Sequence, residues 1–177
     1  MKSILLLSIL IIALNGFAQT QSIPDPEFAS RPYSLKDGKL ESLEKTAATI
    51  DVAGMGSKVY LTAFKAKSDT RFDKSSIPAL YIKIEGSGDP SDKVDVGIAT
   101  VKKDRRRFTQ ESTGMTGAAK DISATKVSVS LKKIRDGLYQ IVFDKPLPAG
   151  EYAFMPPLDL GSMMGGGKLN LFCFGVD

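Results

Sequence analysis

Apolar and polar positions alternate with a period of two along most of the chain, the pattern of strands that bury one face. Val59, Leu61 and Ala63 alternate with Tyr60, Thr62 and Phe64, and Leu80, Ile82 and Ile84 alternate with Tyr81 and Lys83. Val127, Val129 and Leu131 alternate in the same way with Ser128, Ser130 and Lys132. Each segment predicts a strand, and residues 138–143, 151–155 and 169–176 predict three more. Asp37-Gly38 and Asp136-Gly137 fall between such runs, where Asp-Gly supplies the positive φ of a tight hairpin turn. Prolines at 146 and 148, and again at 156 and 157, end strands.

Three stretches fit the period less cleanly. In residues 43–51, Leu40, Leu43, Ala47 and Ile50 would share a helix face, while Thr46, Ala48 and Ile50 alternate as in a strand; the strand reading is preferred. In residues 96–103, Val96, Ile98 and Val101 follow a pattern slipped by one residue, which predicts a bulge, with residues 105–111 extending the same strand. Residues 112–125, rich in small and polar side chains, predict a long loop with one helical turn near residues 118–122. About seven to nine short strands without a βαβ rhythm predict an all-β chain, an antiparallel immunoglobulin-like β-sandwich over residues 31–177.

The N-terminus follows a different logic. Lys2 precedes an apolar run from Ile4 to Leu14, and Gly16 and Ala18 are small residues at the cleavage positions of a signal peptide, read as residues 1–18. The run is too short to span a bilayer. Residues 19–30, polar and carrying Pro24 and Pro26, read as a disordered leader. The only cysteine, Cys173, is far from the cleavage site, so neither a lipid anchor nor an internal disulfide is expected, and its place between Phe172 and Phe174 makes it a core residue. The expected product is exported, periplasmic or extracellular, with no transmembrane segment.

Composition narrows the chemistry. The chain has no histidine, which removes Ser-His and Cys-His nucleophiles, imidazole metal ligands and the commonest general acid/base near neutral pH. Ser-x-x-Lys occurs at Ser42, Ser123 and Ser130, without the Lys-Thr-Gly and Ser-Asp-Asn elements that accompany it in penicillin-binding enzymes; these read as turn and strand positions. Asp89, Asp92 and Asp95 gather oxygen ligands of the kind calcium takes, but Asp89-Pro90-Ser91 is ordinary turn chemistry and Lys93 opposes a cation. No catalytic residue, cofactor or metal is expected.

Two features invite a binding reading. Met55, Met115, Met163 and Met164 sit among glycines; loops of this kind form adaptable apolar recognition surfaces, or Cu(I) sites if they converge, although packing is the ordinary use of methionine. With 24 Lys and Arg against 20 Asp and Glu the chain is modestly basic, and the local excess lies at Lys102, Lys103, Arg105, Arg106 and Arg107. Lys102, Arg105, Arg106 and Arg107 form a candidate anion-facing patch; a solvated edge strand protected by charge is the plainer alternative. Export directs such a patch towards envelope anions and away from nucleic acid.

Leu147-Pro148-Ala149-Gly150-Glu151-Tyr152-Ala153-Phe154, with Gly137-Leu138-Tyr139-Gln140-Ile141 before it and Phe172-Cys173-Phe174-Gly175-Val176-Asp177 after it, resembles uncharacterised exported β-sandwich proteins of Gram-negative bacteria. Arg31-Pro32-Tyr33-Ser34-Leu35 and Leu40-Glu41-Ser42-Leu43-Glu44-Lys45 are similar to their first strands. The resemblance implies a fold and a compartment, but no activity. The expectation is a non-enzymatic binding or structural domain of the bacterial cell envelope, its partner an envelope protein or an anionic surface. The alternative is an accessory hydrolase or a metal-handling protein that holds Cu(I) through methionine.

Overall fold

A computed structural model describes residues 22–54, 58–113, 118–157 and 169–177. The strands are β1 (Pro32–Lys36), β2 (Lys39–Ser42), β3 (Glu44–Ala53), β4 (Lys58–Phe64), β5 (Arg71–Phe72) and β6 (Leu80–Lys83), followed by β7 (Asp95–Lys102), β8 (Arg105–Ser112), β9 (Val129–Arg135), β10 (Leu138–Phe143), β11 (Gly150–Met155) and β12 (Leu169–Val176). The chain is all-β, as its alternation predicts. Residues 44–51 of the ambiguous stretch are strand, after a break at Leu43: Ala48 turns inwards and pairs with Ala63 while Thr49 faces out.

Five strands form one antiparallel sheet in the order β2-β1-β6-β10-β9. The second sheet runs β11-β7-β8-β4-β3-β12, and β11 pairs again with β12 from Gly150↔Val176 to Phe154↔Phe172, so these six strands close into a barrel. Short β5 adds to β12 in parallel at Gly175 and Val176, beyond the point where β3 stops pairing. The two open sheets of an immunoglobulin-like sandwich are not confirmed, because the larger sheet returns on itself.

This closure gives two cores. Leu61, Ala63, Phe108, Ala153, Met155, Leu171 and Cys173 fill the barrel. Leu80, Ile82, Ile141, Tyr152, Phe154, Phe174 and Val176 pack between the outer wall of the barrel and the five-stranded sheet. Phe174 centres this second layer, stacked on Tyr152 with ring centroids 5.2 Å apart. β7, β11 and β12 therefore bury both faces. Val96 and Ile98 serve the layer between sheets, while Gly97 and Ala99 face the barrel. Two-sided burial covers residues 96–99, and the slip comes from Val101, which is exposed at the end of the strand; β7 pairs without a bulge, and the described register shifts lie at Val59/Tyr60 and Leu138/Tyr139. Residues 105–111 do not extend β7 but return beside it, after a turn in which Lys103 has a φ of 53°.

Residues 22–30 have irregular backbone but definite partners. Arg135 donates to the carbonyls of Ile23 (2.9 Å) and Pro24 (3.3 Å) and to the Asp25 carboxylate (2.9 Å), and the Ser30 amide donates to the Lys83 carbonyl at 2.7 Å. The predicted signal peptide, and Met55, Met115, Met163 and Met164, lie outside the described residues.

Candidate functional site

Strand alternation divides the Arg105-Arg106-Arg107 run. Phe108 fills the barrel, so on β8 the residue two positions earlier, Arg106, also points inwards, and Arg105 and Arg107 point out. Arg106 is 0% exposed and leaves the expected anion-facing set.

A buried guanidinium is stable only when paired. Arg106 Nη2 lies 2.9 Å from Glu44 Oε1 and 3.2 Å from the Phe64 carbonyl, and Arg106 Nη1 lies 3.8 Å from Glu151 Oε2. Both carboxylates have further donors. Glu44 accepts the Asp69 amide at 2.6 Å and the Ser68 hydroxyl, and Glu151 accepts the Ser68 amide at 2.8 Å. Arg71 pairs with Glu151 and with Asp177, and it occupies the space over Gly175, where a Cβ would collide with its guanidinium. Two arginines and three carboxylates thus close one end of the barrel. Burial pushes the Glu44 carboxyl up, but hydrogen bonds from Arg106, Ser68 and the Asp69 amide outweigh it and hold the group below its usual range. Burial also pushes the Cys173 thiol up to about 12, which removes it as a nucleophile at neutral pH.

Pinned by Arg106, β8 presents its other face to solvent. The Arg105 guanidinium lies 5.1 Å from the centre of the Phe64 ring, and Arg107 lies 5.8 Å from that of Tyr60. Both contacts follow from register: Phe64 is paired with Arg105, and Tyr60 is two residues before Thr62, the partner of Arg107. Arg105 stands 3.8 Å from Asp104 in an exposed contact and Arg107 4.0 Å from Asp51 with both side chains half-buried, long contacts that leave both guanidiniums able to take a further anion. Lys102 and Lys103, at the hairpin turn, have no ion-pair partner among the described residues. A shallow concavity is lined by Lys102, Lys103, Asp104, Arg105 and Arg107.

The structure thus brings Lys102, Arg105 and Arg107 together, and adds Lys103 of the same basic run and two apolar residues outside the expected patch. Lys103 occupies the turn, Phe64 is 53% exposed beside Arg105, and Val101 is 46% exposed on the other side of the hairpin. Phe64 was discoverable as the last aromatic on the polar phase of β4. The acidic turn at residues 89–95 behaves as turn chemistry: Asp89 accepts from the Ser91 amide at 2.9 Å and its hydroxyl at 2.7 Å, and Lys93 donates to the Glu85 carbonyl. Among the described residues no cluster of His, Cys, Asp and Glu is arranged to hold a metal ion, and no helix is long and apolar enough to cross a membrane.

No family model, curated protein or solved structure matches the chain.

Proposed function

We propose that the protein is an exported, non-enzymatic binding domain of the bacterial cell envelope that holds an anionic partner on the β7–β8 hairpin. The observation that carries this reading is the outward display of Lys102, Lys103, Arg105 and Arg107 around one concavity, on a strand whose position is set by buried Arg106. Guanidiniums stacked on aromatic rings are held extended, which lowers the entropy lost when they grip a carboxylate, sulfate or phosphate. The role does not depend on an immunoglobulin-like strand order; a closed barrel supports the hairpin equally well.

Retention on a sulfated polysaccharide matrix tests the proposal. Wild-type protein is expected to bind at low salt and elute as ionic strength screens the cations. Combined Lys102→Glu, Lys103→Glu and Arg105→Glu, all exposed positions, should abolish retention while the far-UV circular dichroism stays unchanged. Equal elution of the two proteins would overturn it.

A further inference from the structure

We infer that the anionic partner is a bilayer surface bearing acidic phospholipid head groups, entered by the tip of the β7–β8 hairpin; this rests on the anion-binding reading above. A soluble polyanion calls for cations alone. This end of the barrel also exposes two large apolar side chains, Phe64 at the end of β4 and Val101 at the end of β7. Register places them on opposite sides of the tip: Phe64 shares a face with Arg105, and Val101 shares one with Arg106. The tip is therefore apolar on both flanks, with Lys103 and Asp104 at its apex, Lys102 and Arg105 paired just below it, and Arg105 lying over Phe64, so that three cations outnumber the one exposed carboxylate.

That combination suits the interfacial zone of a membrane. Phe64 and Val101 lose contact with water on entering the acyl boundary, while long basic side chains reach back to phosphates. Arg105 is the hinge of the arrangement, since one side chain covers the Phe64 ring and carries the charge that meets the head group. Lys103 holds a left-handed backbone conformation that few non-glycine residues adopt, so the apex keeps a cation where a glycine would be easier to accommodate. The protein's modest positive charge then adds a long-range attraction to the same surface.

Co-sedimentation of the full mature chain with vesicles, compared with the polysaccharide matrix, separates the two readings. Vesicles of phosphatidylglycerol and phosphatidylethanolamine should bind the protein, and vesicles of phosphatidylcholine should not. Val101→Ser, which leaves the Arg105–Phe64 stack intact, should weaken vesicle partitioning about threefold with retention on the polysaccharide unchanged, and adding Phe64→Ser should bring the loss on vesicles to roughly tenfold. Lys102→Glu with Lys103→Glu should weaken both, by about fivefold or more per residue on acidic vesicles. Wild-type binding to polysaccharide but not to acidic vesicles would overturn the bilayer assignment and leave the anion-binding reading standing. Binding to neither would overturn both. Vesicle binding that the two serine substitutions do not change would overturn entry of the tip. Thermal unfolding of each variant confirms that it is folded, and Phe64→Tyr, which keeps the ring, should restore most of the partitioning lost by Phe64→Ser.

Discussion

Glu44 lies where burial favours the neutral acid, yet Arg106, Ser68 and the Asp69 amide keep it ionised below the usual carboxylate range. A carboxylate whose folded pKa is depressed contributes stability that is present above its unfolded pKa and lost as pH falls through the folded one. Stability should therefore fall as pH drops below roughly 4.3, the ordinary glutamate value. Glu44→Gln should lower stability at pH 7 by about 1–3 kcal/mol and flatten that acid limb, as urea midpoints across a pH series would show. An unchanged acid limb would remove Glu44 from the linkage. Gly175 makes a different demand, because its missing Cβ leaves the space that the Arg71 guanidinium uses to reach Glu151 and Asp177. Gly175→Ala should cost about 1–3 kcal/mol in wild type and markedly less in an Arg71→Ala background. Equal costs in the two backgrounds would show that the glycine serves something other than Arg71. Of this cluster only the inward turn of Arg106 is legible in the sequence, from its spacing to Phe108; its partners Glu44 and Glu151 are 62 and 45 positions away and have nothing local to mark them.

At the scale of the element, β7 shows what a strand looks like when both faces are buried. Val96 and Ile98 pack towards the five-stranded sheet, and Gly97 faces Met155 inside the barrel, where an added Cβ would come within 2.7 Å of Met155 Cε. Met155 is itself held, since Gln110 Nε2 lies 2.7 Å from its sulfur. Gly97→Val should therefore overpack the barrel and cost about 1–3 kcal/mol by urea unfolding, with a smaller loss when Met155→Ala is introduced with it. Strict alternation of apolar and polar residues disappears over residues 96–99 of this strand, while the slip that predicts a bulge comes from Val101, exposed at its end. β4, β6 and β9 were legible from alternation, although Thr62 on the polar phase of β4 and Tyr81 on that of β6 are buried as well. So was the turn at Asp37-Gly38, where both residues have positive φ (49° and 76°), and the one where Gly137 has a φ of 73°.

For the whole molecule, composition and period establish the all-β class but not the closure of the barrel. Closure depends on β12 pairing with β3 and β11, segments whose local patterns would be the same in two open sheets. The basic hairpin was visible as a run of charge; which of its cations reach solvent required knowing that β8 lines a barrel. β12 comes after every other strand in chain order, and it joins β3 to β11 while lending its two faces to the two cores. Until Leu169–Val176 is available, the ribbon β3-β4-β8-β7-β11 has two unpaired borders and a half-built interior. The barrel therefore cannot close before β12 pairs, and wherever folding begins, the two borders it joins stay open to other strands until residues 169–176 are in place.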